Sequence, residues 1–107
     1  MKLYSIFLPK TYNNKKPIPT KKIRRITKEI REKFGSYSAD PYAKLPIIEG
    51  TWTSKTKKLF NETMTCVQVF TEDTYKTQRW FKAKKETWAQ ELDQEVLFII
   101  EQHAEIL

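Results

Sequence analysis

The sequence predicts an α+β domain of four strands and two helices in the order β-α-β-β-α-β. Three observations predict it. Apolar, aromatic and β-branched runs occur at 3–8, 47–53, 60–71 and 96–100. Ile23, Ile26, Ile30 and Phe34 recur at helical spacing between the first two runs, and Phe81, Trp88, Ala89 and Leu92 do so between the last two. The chain has 107 residues, the size of one domain, so 1–107 is read as a single unit.

Residues 3–8 (LYSIFL) form the first strand, which Pro9 breaks. The segment 10–19 holds Asn13, Asn14, Pro17 and Pro19 and reads as a polar loop. Thr20 is the expected cap of the first helix, because its hydroxyl can accept a free backbone N–H. Gly35 is the natural stop, since it tolerates a left-handed C-terminal conformation. Residues 36–46, with Pro41 and Pro46, read as an irregular crossing.

Residues 47–53 (IIEGTWT) and 60–71 (FNETMTCVQVFT) form a hairpin across the polar turn 54–58. Asp73 or Thr74 caps the second helix. Lys85 shares the apolar stripe of that helix and must lift its amine to water, and Trp80 falls at the edge of the stripe. The continuous run 96–100 (VLFII) suits a buried, central strand. This order is that of the ferredoxin-like four-stranded antiparallel sheet, with right-handed crossovers placing both helices on one face. The other face is open, and a second copy of the chain is one expected cover, making a homodimer.

Composition narrows function by exclusion. With only Gly35 and Gly50, there is no glycine-rich phosphate loop. A lone Cys66 cannot form an internal disulfide and fits a reducing compartment. The run 3–8 is too short for a signal peptide, and no stretch reaches the ~20 apolar residues of a membrane span. Cytoplasmic location and no membrane association are the expectations.

His103 is the sole histidine. A Cys66–His103 pair requires both groups to meet across the sheet, whereas a free cysteine in a β-rich run is usually a small buried hydrophobe. Glu101, His103 and Glu105 share a strand face at period two and offer a sparse carboxylate–imidazole array. The simpler reading is a solvated polar strand, so neither a metal nor another cofactor is expected. No catalytic residue is assigned.

Charge is the strongest feature. The net charge is +7, yet residues 1–35 carry eleven Lys/Arg against two acids, a net +9. Lys15, Lys16, Lys21, Lys22, Arg24, Arg25, Lys28 and Arg31, with Lys33, lie in the loop and first helix, away from Ile23, Ile26 and Ile30. Such residues displace counterions from phosphates and supply salt-dependent affinity. A merely solvated helix face is the plainer alternative, and local pairs Glu29–Arg25 and Glu32–Lys28 would thin the patch. The RNA-recognition version of the topology needs base-stacking aromatics on strands one and three. Residues 64–70 (MTCVQVF) offer only Phe70, so that version does not fit. Trp52 and Trp80, if exposed, are candidate partner anchors.

Four short segments carry a wider resemblance: Phe7-Leu8-Pro9, Lys33-Phe34-Gly35, Gly50-Thr51-Trp52 and Leu92-Asp93-Gln94-Glu95. On these the chain resembles a loose class of small prokaryotic and phage α+β proteins with no assigned activity. The resemblance implies the same element order and no functional residue. The leading expectation is a non-enzymatic binding or regulatory module whose helix 20–34 meets a polyanion, either nucleic acid or an acidic protein. The alternatives are a small dimeric enzyme with Tyr4, Tyr12, Trp52 and His103 around a pocket, and a protein-binding inhibitor.

Overall fold

A computed structural model describes residues 1–35, 47–53, 59–105 and 107, with the backbone alone described for 47–53 and 59–63. The expected crossing at 36–46, the turn at 54–58 and the side chain of Trp52 lie outside the described residues. The elements are β1 (Lys2–Pro9), α1 (Thr20–Phe34), β2 (Ile47–Thr53), β3 (Leu59–Thr71), α2 (Tyr75–Glu91) and β4 (Phe98–His103).

The strands lie in the order β2-β3-β1-β4, and every neighbouring pair is antiparallel. β1 is paired on both sides: Ile6 stands opposite Val67 of β3 and Ile99 of β4. Alternation then sets the faces. Tyr4, Ile6 and Leu8 point inward with Val67 and Val69 and are buried against Ile26, Ile30, Phe81, Trp88 and Leu92. The helices form one layer and run antiparallel, because Lys22 reaches the end of α2 while Phe34 packs on Trp80 near its start.

The expected ferredoxin-like architecture is corrected at its last strand. The run 96–100 does not form a central strand. β4 begins only at Phe98, lies at the sheet edge and alternates, with Phe98 and Ile100 exposed and Ile99 packed on the core. Leu97, buried just before it, seals the core from a connecting segment. β2 pairs with β3 alone. The fold is an α+β unit of four antiparallel strands and two helices, with β2 and β4 at the two sheet edges.

The helix ends differ in how they satisfy their backbone. Thr20 is the first helical residue and not the cap of α1; Pro19 occupies the cap position and offers no side-chain bond. Gly35 closes α1 at φ 82°, its N–H donating to the Arg31 carbonyl at 2.7 Å, and Arg31 and Lys33 complement the helix dipole. Thr74 caps α2, its hydroxyl accepting from the Thr77 N–H at 3.2 Å.

Candidate nucleic-acid interface

The 10–19 segment is a built turn. Tyr12 and Lys16 pair through the Tyr12 N–H and Lys16 carbonyl at 2.8 Å, and the Lys15 N–H donates to the Tyr12 carbonyl at 2.8 Å. Ile18 anchors it in the core. Lys15 and Lys16 are exposed at its tip. On α1, Lys21, Arg24, Arg25, Lys28 and Arg31 are exposed because Ile26, Thr27 and Ile30 take the opposite side. The Lys28–Glu32 pair forms at 3.8 Å between largely exposed groups, so water screens it.

Lys22 does not belong to this surface. Its Nζ donates to the Tyr12 hydroxyl at 3.0 Å and to the Glu91 carbonyl at 3.3 Å, and lies over the Tyr12 ring. It fastens the loop to the C-terminal end of α2, where a cation is favoured. The hydrogen bond to Tyr12 raises its pKa. Glu29 does not turn to Arg25; it meets Lys84 of α2 at 2.6 Å.

α2 adds cations that the first-third charge excess does not reveal. Lys76, Arg79, Lys82, Lys84 and Lys85 stand against Glu86 and Glu91, so both helices of the layer are basic. At one end of the seam, Lys33 of α1 and Tyr75, Lys76, Arg79 and Trp80 of α2 line an open groove of about 360 Å³. The Lys33 ammonium stands 6.0 Å from the Trp80 ring centre, and the Arg79 guanidinium 5.7 Å from that of Tyr75. Tyr75 is 72% exposed. Trp80 is half-buried, held edge-on by Phe34, Phe81 and Trp88.

A second cleft, of about 270 Å³, lies between α2 and β4 and is lined by Tyr4, Gln78, Phe81, Lys82, Lys85, Ile99 and Glu101. Glu101 accepts hydrogen bonds from the Tyr4 hydroxyl at 2.9 Å and the Gln78 amide at 3.1 Å, and pairs with Lys2 at 3.3 Å. These donors, Tyr4 first, lower its pKa. Burial, reinforced by Glu101, pushes the Tyr4 phenol up to about 12, beyond the range of a general acid or base at neutral pH. The cluster ties α2 to β1 and β4.

The residues considered for a pocket or metal site are dispersed. Tyr12 is engaged with Lys22. His103 is exposed beside Glu105, its Nε2 3.6 Å from the carboxylate. Glu101 faces its own three donors, and no group of three His, Cys, Asp or Glu side chains comes together among the described residues. Cys66 stands opposite Phe7 and His103 opposite Lys2, five residues apart along β1, or about 17 Å, and on opposite sheet faces. Cys66 is not buried in the core but half-exposed on the outer face, and partial burial raises its thiol pKa.

No helix among the described residues is long and apolar enough to cross a membrane. No family model, curated protein or solved structure matches the chain.

Proposed function

We propose that this chain is a non-enzymatic binding module that meets nucleic acid through its basic helix layer. One observation carries the reading. The exposed cations Lys15, Lys16, Lys21, Arg24, Arg25, Lys28 and Arg31 gather on one side of the sheet, whereas the opposite face of β1, β4 and the 64–70 stretch of β3 presents Leu3, Ser5, Phe7, Cys66, Gln68, Phe70, Phe98, Ile100 and Gln102 and no charged residue. Scattered solvating lysines would not segregate in this way. The free thiol of Cys66 suits a reducing compartment such as the cytoplasm.

The test is binding to labelled DNA and RNA across a salt series. Six phosphate contacts give a slope of log K against log[salt] of about −4 to −5. Changing Arg24, Arg25 and Lys28 together to Glu should abolish binding with the helical circular dichroism intact. Unchanged binding removes α1 from the interface, and no binding by the unmodified protein at low salt removes the reading.

A second copy is the partner that fits the uncharged face. Phe98 and Phe70 occupy diagonal corners, with the smaller Cys66 and the polar Gln102 at the other two. Face-to-face packing about a two-fold axis parallel to the strands sets Phe98 over Cys66 and Phe70 over Gln102 of the second copy, a self-complementary arrangement. The basic helices then face outward, away from one another.

A further inference from the structure

We infer that the groove at the α1–α2 seam receives an unstacked nucleobase with its neighbouring phosphates, so that the chain prefers single-stranded to double-stranded nucleic acid; this rests on the proposed function. Phosphate attraction alone needs only cations, and α1 supplies those along its length. The groove adds aromatic rings at the same place. Tyr75 offers a largely exposed ring and Trp80 a ring fixed by three aromatic neighbours.

Lys33, Lys76 and Arg79 surround the rings, and among the described residues no acidic side chain lines the groove and no ion pair engages these three. Lys33 and Arg79 are held near aromatic rings. A base that stacks on a ring competes for that position and releases the cation toward the adjoining phosphate. Basic groups interleaved with aromatic rings are the chemistry by which single strands are held with little regard to sequence. The groove volume of about 360 Å³ lies within the usual range of ~300–1,000 Å³ for ligand sites. The Asp73 carboxylate lies outside it, in an adjoining cleft with Lys2, Tyr4 and Glu101 that meets the groove at Tyr75. A duplex keeps its bases stacked inside and cannot use the rings. An acidic peptide would satisfy the cations and leave the rings idle.

The experiment compares a short oligo-dT, an abasic strand of the same length and a duplex of the same length, at one salt concentration. Oligo-dT should bind most tightly, and Tyr75→Ala should cost it roughly 5- to 150-fold while leaving the abasic strand unaffected. Tryptophan fluorescence should be quenched by oligo-dT and not by the abasic strand, and Trp80→Phe should remove the quenching. Tyr75 is exposed, so its variant should melt as the unmodified protein does; Tyr75→Phe should retain affinity. Equal binding of oligo-dT and the abasic strand, or a duplex bound as tightly as oligo-dT, overturns the groove site and leaves the helix-layer reading standing. Absence of binding to all three at low salt overturns both.

Discussion

Lys84 of α2 places its ammonium 2.6 Å from the Glu29 carboxylate of α1, a cross-helix contact between two groups that are each about a quarter to a third exposed. The pair sits between the Lys22 fastening and the groove and keeps the two helices in register. A double-mutant cycle on Glu29→Gln and Lys84→Met should give a coupling of about 0.2–1 kcal/mol, the range of partly solvated pairs. Denaturant melts would read it. A coupling indistinguishable from zero would mean that packing alone sets the seam.

Lys22 and Arg25 are three residues apart and should behave oppositely. Lys22→Met removes the bonds to Tyr12 and to the end of α2, so it should lower the melting temperature and leave the salt slope of nucleic-acid binding unchanged. Arg25→Gln should leave the melting temperature alone and reduce the slope by about 1. An unaltered melting temperature for Lys22→Met would show that the contact contributes nothing to the fold.

The Tyr4–Glu101 bond predicts a pH response at each end of the scale. Glu101 has a lowered pKa, so its contribution is present above the ordinary carboxylate value and is lost as pH falls through the folded value. Glu101→Gln should therefore flatten the acid limb of the stability curve. Tyr4, raised to about 12, keeps its proton in the folded state where an unfolded tyrosine has lost it. Stability should fall as pH rises from about 10 to 12. Ultraviolet titration of tyrosinate should show one late group, absent in Tyr4→Phe.

Two left-handed residues end the helices with different fitness. Asp93 follows α2 at φ 50° and Gly35 follows α1 at φ 82°. An L side chain in this region costs about 1 kcal/mol. Asp93→Gly should raise stability by up to that amount. Gly35→Ala should lower it similarly, because an added Cβ meets nothing within 4 Å and backbone strain is the sole cost. Thermal melts of the two variants should move in opposite directions.

Self-association through the outer face should be visible by sedimentation. Ile100, 47% exposed, lies in the middle row with Ser5 and Gln68. Ile100→Lys should shift a dimer to monomer without changing the melting profile at low concentration. Phe98→Cys should yield a disulfide-linked dimer with Cys66 of a second copy on oxidation. Within one chain the two positions flank Phe7, two strand spacings or about 10 Å apart, too far to join. A chain that remains monomeric at high concentration removes the second copy as the cover of this face.

Local periodicity made α1 legible: Ile26 and Ile30 are buried, and Ile23 and Phe34 pack at the edge of the core. The Thr74 cap and the Gly35 stop were also written locally. The strand at 96–100 misled because an apolar run does not show whether alternate residues face a core or water, and Phe98 and Ile100 face outward. The role of Lys22 depends on Tyr12 and on a carbonyl 69 residues away, which no pattern within α1 contains. The groove joins Lys33 to residues at 75–80 across the helix seam. The legible clue was the second cluster of cations around Trp80, masked by acids elsewhere in the last two thirds of the chain.

The uncharged face of β1, β4 and residues 64–70, opposite the basic helices, gives this part of the molecule an electrical front and back. A body with this charge layout experiences a torque near a polyanion and turns before it touches. The turning acts over roughly a Debye length, about 10 Å at 0.1 M salt. Added salt should then slow arrival, a fall in association rate that rapid-mixing kinetics would read.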